Sequence, residues 1–165
     1  MQDSPLDSRQ FRRTMGLFAT GVAVLATLRQ DNGEAIGMTA NAIASVSLDP
    51  MLILICVGKE ARIAPHLLQA EGFSLSFLGA DQEALSVYFA GLWQGDTPPR
   101  FAFEMWHGQP LLVDCIGAVA CRRYAVYEGG DHWIVLGEVI ALRRPAEAAA
   151  PLIFFDGRYR RLAEA

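Results

Sequence analysis

The strongest constraint on the fold lies in the second half of the chain. Leu111–Tyr127 and His132–Arg143 are two long segments of strand character joined by Glu128-Gly129-Gly130-Asp131. In the first, Val113, Cys115, Val119 and Cys121 would share one face, and Ile116, Ala118 and Ala120 the other. In the second, Val135 and Val139 oppose Ile134, Leu136 and Ile140. An antiparallel strand with one wet face alternates apolar and polar residues. These segments do not alternate, so both of their faces are expected to be covered. A chain of 165 residues, 52% hydrophobic and 19% charged, suits a single domain with surplus apolar surface. That surplus points to cover by a partner subunit or a ligand.

The rest of the chain reads as short strands with helices between them. Asp7–Ala19 predicts a helix with Phe11, Met15 and Phe18 on one face, and Gly21 offers a stop. Val22–Leu28 reads as a strand, and Asp31-Asn32-Gly33 as a turn leading into Ala35–Thr39. Ile43–Leu48, an Asp49-Pro50 corner and Met51–Val57 follow, the last expected to be buried on both faces. A helix over Arg62–Ala70, a strand over Phe73–Leu78 and a helix from Asp81, as N-cap, to about Ala90 come next. Gly91–Pro110 reads as a loop. Strands at hairpin spacing with interposed helices predict a mainly β, closed antiparallel barrel over residues 1–165, with its core at about 11–162. Neither a Gly-x-Gly-x-x-Gly turn nor a Walker loop occurs.

Charge and composition exclude several function classes. The net charge of −4 gives no general attraction to nucleic acid. The longest apolar run, Met51–Val57, is far shorter than the roughly 20 residues of a membrane-spanning helix. The opening Met-Gln-Asp-Ser-Pro lacks the basic and apolar stretches of a secretory signal. Cys56, Cys115 and Cys121 lie in apolar segments and fit reduced thiols of a cytoplasmic protein. His66, His107 and His132 are too scattered for a metal cluster.

The stretch Gly37–Pro50 is the most polar one in an apolar neighbourhood. Thr39, Asn41, Ser45 and Ser47 fall at odd positions, so in an extended chain they would point to one side. Such a row is either a solvated strand edge or an uncharged hydrogen-bonding surface for a polar planar ligand, and the periodicity alone does not choose. Trp93, Phe103 and Trp106 fall in the loop region. They could stack on a ligand, but dimer contacts or a satellite core are the favoured reading. Lys59 is the single lysine, either a product of base composition or a residue kept for a local task.

The blocks Phe18–Thr27, Gly37-Met38-Thr39-Ala40-Asn41 and Ala44-Ser45-Val46-Ser47-Leu48-Asp49-Pro50 resemble the flavin reductase family. These are the short-chain NAD(P)H:flavin oxidoreductases that serve two-component monooxygenases. Arg100-Phe101, Gly130-Asp131-His132, Gly137-Glu138-Val139, Pro151–Phe155 and Tyr159-Arg160 extend the likeness to nearly the whole chain. The resemblance implies a homodimer of Greek-key split β-barrels, each binding FMN or FAD near the dimer interface. NADH or NADPH would be the hydride donor, and a monooxygenase component would receive the reduced flavin. It implies that Thr39, Asn41, Ser45, Val46 and Ser47 line the flavin, with Cys56, Lys59 and Ala61 approaching from the next strand and loop. Arg100 would meet the phosphate, beside Phe101, and Tyr159 would belong to the same site. His132 would orient the nicotinamide. On the same barrel type, a non-catalytic FMN-binding electron-transfer or sensor module and a pyridoxamine-phosphate oxidase-like enzyme are the alternative readings.

Overall fold

The computed structural model describes residues 6–145 and 149–162. Met1 to Pro5, whose composition was read above against a secretory signal, lie outside the described residues. In chain order the elements are α1 (Ser8–Gly16), β1 (Thr20–Gly21), β2 (Ala23–Leu28), β3 (Ala35–Ala40), β4 (Ile43–Leu48), β5 (Met51–Gly58) and α2 (Ala64–Gln69). They continue as β6 (Gly72–Phe77), α3 (Glu83–Phe89), β7 (Phe103–Trp106), β8 (Gln109–Leu112), β9 (Gly117–Gly129), β10 (His132–Arg143), β11 (Ile153–Phe155) and β12 (Arg158–Arg160).

Seven strands form one antiparallel sheet in the order β3-β2-β6-β9-β10-β5-β4. Its two edge strands, β3 and β4, are consecutive in the chain and joined only by Asn41-Ala42. Laid flat, six strand spacings of about 4.8 Å would separate those edges by roughly 29 Å. The step from Ala40 to Ile43 spans at most about 11 Å. The sheet is therefore rolled, and its edges converge at Asn41. No ladder joins β3 to β4 among the described residues, so β4 keeps an edge whose outward backbone groups are free of sheet hydrogen bonds.

The inside of the roll is the main core. Leu25, Ile53, Ile55, Val57, Phe73, Leu75, Val119, Cys121 and Val135 meet there, with Ile63 and Leu67 of α2 packed onto them. Each fully buried side chain of this size contributes about 1.5–3 kcal/mol of hydrophobic stabilisation. A second cluster of Val22, Val24, Leu78, Leu85, Leu112 and Leu152 lies beneath α3. The buried hydroxyls of Ser74 and Ser76 are both satisfied by β8: Ser74 donates to the Pro110 carbonyl and Ser76 accepts from Leu112 N–H.

Several expectations are corrected. The proposed strand Leu111–Tyr127 is two strands, because the chain turns at Asp114, whose φ is 66°. The expected loop Gly91–Pro110 contains β7 and the start of β8, paired through a His107-Gly108 turn with both φ values positive. The N-cap position of α3 is Gln82, not Asp81, and its side chain makes no capping hydrogen bond. β5 buries Ile53, Ile55 and Val57 on one face and leaves Leu52, Leu54 and Cys56 half-buried on the other. The apolar residues of α1 find no core in this chain: Phe11 and Met15 are exposed, and Phe18 lies beyond the helix and is exposed as well. The β9–β10 pair is covered on both faces only near Gly117–Cys121. Further along, Tyr127, Ile134 and Leu136 keep a partly open outer face.

Candidate functional site

Strand register decides which of the expected residues meet. Gly58 at the end of β5 lies opposite His132 at the start of β10, and Cys56 lies opposite Ile134. Cys56 N–H donates to the Ala42 carbonyl at 3.0 Å. The Asn41-Ala42 link, the end of β5 and the His132 turn thus occupy one end of the rolled sheet, and β4 runs away from it along the open edge. Asn41 is exposed, and its side-chain amide donates to Thr20 Oγ1 at 3.2 Å. It stands on the rim of two cavities. One, of about 420 Å³, is lined by the Phe18–Ala23 segment with Ile43, Phe77 and Leu152. The other, of about 300 Å³, lies between Thr39, Ser86, Leu92 and Tyr159.

The row of odd-numbered polar residues does not survive as one face. A bulge at Val46 places Ser45 opposite Ile53 but Ser47 opposite Leu52, so the two serines point to opposite sides of β4. Ser45 is exposed, Val46 is half-exposed, and Ser47 Oγ accepts a long hydrogen bond from Asp49 N–H. Thr39 belongs to β3 and donates to the Ser86 carbonyl at 2.6 Å. Tyr159 is bound to the same residue, its hydroxyl 2.8 Å from Ser86 Oγ. Thr39 and Tyr159 therefore share the wall of the smaller cavity with Asn41, separate from the β4 edge.

The His132 turn is held from several sides. His132 Nδ1 lies 2.8 Å from Asp131 Oδ1. The hydrogen bond from the imidazole, then its charge, holds the Asp131 carboxyl below its ordinary 3.8, with a smaller contribution from Arg12 of α1. Lys59 N–H donates to the Asp131 carbonyl at 2.9 Å. Its ammonium lies 3.5 Å from Glu128 and 4.8 Å from the centre of the Trp133 ring. Ala61 closes the loop through its N–H to the Gly58 carbonyl and packs against the main core. Burial raises the Cys56 thiol and pushes Cys121 up to about 12, so both are protonated thiols at neutral pH.

Arg100 and Phe101 fall elsewhere. Phe101 joins Tyr88, Phe89 and Phe103 in a cluster of tilted and edge-on rings at α3, with centroids 4.9 to 5.8 Å apart. Arg100 is exposed beside it and forms no ion pair among the described residues. Of the loop aromatics, Phe103 belongs to this cluster and Trp93 lies near it. Trp106 instead packs under the Arg143 guanidinium. Sequence reasoning missed Thr20, Ser86 and Trp133 as partners of candidate residues. Thr20 and Trp133 stand beside recognised motifs, whereas Ser86 in a helix carries no such signal.

These groups fit a flavin. The β4 edge offers free backbone donors and acceptors, a bulge, the Ser45 hydroxyl and the Asn41 amide without formal charge, which suits the polar rim of a planar heterocycle and a polyol chain. The imidazole stands at the same end.

Residues 15–163 match the flavin reductase like domain family. The chain is similar to the NADH-dependent FAD reductase of Streptomyces globisporus, 42% identical over 96% of this chain and 88% of that protein. It is 36% identical to the reductase component of 4-hydroxyphenylacetate 3-monooxygenase from Thermus thermophilus, over 92% of this chain and 95% of the relative. Among solved structures, the flavin reductase PheA2 in its native state superposes with a TM-score of 0.89 at 38% identity, covering 96% of this chain and all of that one. With its antiparallel rolled sheet and its polar β4 edge, the chain belongs to the flavin reductase like domain family.

Proposed function

We propose that this chain is an NADH-dependent flavin reductase that passes reduced FAD or FMN to a monooxygenase component. The observation that carries the reading is the convergence of the uncharged β4 edge and the His132 turn at Asn41, in a chain of this family. When bound, the flavin supplies the acceptor for the hydride of the reduced nicotinamide. The protein's part is to bind, orient and exclude water, because hydride transfer depends on close, aligned approach of the two rings.

Asn41, Ser45 and the backbone from Val46 to Ser47 hold the flavin's polar edge, with Cys56, Lys59 and Ala61 bounding it from the end of β5. Thr39 and Tyr159 shape the adjoining cavity through Ser86. His132 orients the nicotinamide. With Nδ1 engaged by Asp131, Nε2 is the ring nitrogen left for the carboxamide. Arg100 serves the phosphate side from its exposed place beside the Phe101 ring. No nucleophile–base pair is needed for this chemistry.

The half-covered outer face of Tyr127, Ile134 and Leu136 supports a homodimer of split barrels. Replacing Leu136 with Glu should shift the protein to a monomer in light scattering, and an unchanged dimer would remove this face from the interface. Among the described residues no helix is long and apolar enough to cross a membrane. We place the protein in the cytoplasm, where NADH is available and its free thiols stay reduced. The functional test is to replace His132 with Ala and measure NADH oxidation. The reading expects a higher KM for NADH with flavin affinity unchanged, and loses its nicotinamide contact if KM for NADH and the turnover both stay the same.

A further inference from the structure

Beyond the flavin edge, a second cleft of about 410 Å³ opens between the start of β3 and the turn that follows α3. Small-molecule sites begin at about 300 Å³. One wall is aromatic: Tyr88, Phe89, Phe101 and Trp93 line it, with Trp93 and Phe101 more than a third exposed. Arg29 and Arg62 also line the cleft. Arg29 makes only a loose 3.7 Å ion pair with Asp31, and Arg62 makes none among the described residues.

The indole is fixed before any ligand arrives. Trp93 Nε1–H donates to the Thr97 carbonyl at 3.1 Å, and its ring lies so close to Gly95 that a Cβ there would sit 2.7 Å from it. Across the cleft floor the Phe89 ring lies against Gly37, which leaves no room for a side chain on that position of β3. Packing the aromatics alone would not require two arginines in the same cleft. A preformed π surface beside two planar cations is complementary to a flat heterocycle that carries an anionic tail.

We propose that this cleft binds an adenosine diphosphate group. Aromatic residues take the adenine, and Arg62 with Arg29 takes the phosphates. The proposal rests on the flavin reductase reading, because FAD and NADH both carry this group and FMN does not. It assigns the cleft a role in dinucleotide selection, apart from the β4 edge that meets the flavin ring.

The test is calorimetric titration of the purified protein with ADP alone, which needs no turnover and no flavin. Wild type should bind ADP. Arg62→Met and Trp93→Ala should each weaken it roughly tenfold or more, the loss of one charge-assisted bond or one stacking surface. FMN affinity should stay within about twofold in both variants, which also shows that they are folded. The same variants then identify the source of the group. A fall in the affinity ratio of FAD to FMN assigns the cleft to the flavin dinucleotide. A fall in the preference for NADH over reduced nicotinamide mononucleotide, with the flavin ratio unchanged, assigns it to the donor. No ADP binding by wild type, equal binding by both variants, or two unchanged ratios would overturn the proposal. Normal FMN-dependent NADH oxidation alongside any of those results would leave the flavin reductase reading standing, so the two ideas fail separately.

Discussion

Replacing Asn41 with Leu tests the polar edge at the point where the rolled sheet meets itself. The Asn41 amide is exposed, and among the described residues its side-chain hydrogen bond is the 3.2 Å contact to Thr20 Oγ1. The fold should hardly notice the change, since an exposed substitution with one such bond costs within about 0.5 kcal/mol. A flavin placed along β4 would notice it. A neutral hydrogen bond contributes about 0.5–1.5 kcal/mol, and a ligand polar atom left against Leu without water costs about 1–3 kcal/mol. The second figure replaces the first when the ligand atom is left unpaired, which is a loss in flavin affinity of roughly 5- to 150-fold. Thr20→Val, which only releases the amide from its partner, should cost several-fold less. The assay is quenching of flavin fluorescence on titration with protein, alongside thermal unfolding. If Asn41→Leu binds FAD and FMN as tightly as wild type at unchanged stability, Asn41 does not face the flavin and the site assignment along β4 is wrong.

Other expectations follow from the same geometry. Asp131 is held below its ordinary value by His132, so the pair is fully formed above the usual carboxylate range and is lost as acid carries pH down through the lowered pKa. Asp131→Asn should therefore raise KM for NADH at neutral pH and abolish its rise in acid, read from initial rates across pH. Ser86→Ala removes the contact that joins Tyr159 to α3, and since Ser86 is fully buried it should lower stability by about 1–2 kcal/mol in chemical denaturation. Of the three thiols, Cys121, with its pKa near 12, should be the slowest to react with an alkylating reagent in the native protein, and mass spectrometry of the digested product would detect the order. A Cys121 that labels as fast as Cys56 would contradict its place inside the roll.

Much of the fold was legible because apolar patterning in β2, β5, β6 and β10 follows directly from which face each strand buries. The breaks were not. Val113-Asp114-Cys115-Ile116 is nearly as apolar as the strands beside it, so hydropathy carries no sign that Asp114 adopts a positive φ and ends β8. The β7–β8 hairpin was hidden for a related reason: its turn uses His107 where Asn or Asp is the usual signal. The site was legible as a polar stretch but not as a surface. Alternation assumes an unbroken strand, whereas the chain leaves β3 at Asn41 and bulges at Val46. Thr39 and Ser47 were thereby turned away from Ser45. Long-range partners such as Ser86 for Thr39 and Tyr159 depend on how α3 docks, which no local pattern encodes. The apolar face of α1 was legible as amphipathic, yet its residues find no place in this chain's core.

The most direct measurement is NADH oxidation by the purified protein, followed by absorbance with FAD or FMN added and without either. The account predicts steady oxidation that requires flavin, and its release in reduced form to a separate flavin-dependent oxygenase in the same vessel. Absence of flavin-dependent NADH oxidation with both flavins would contradict it.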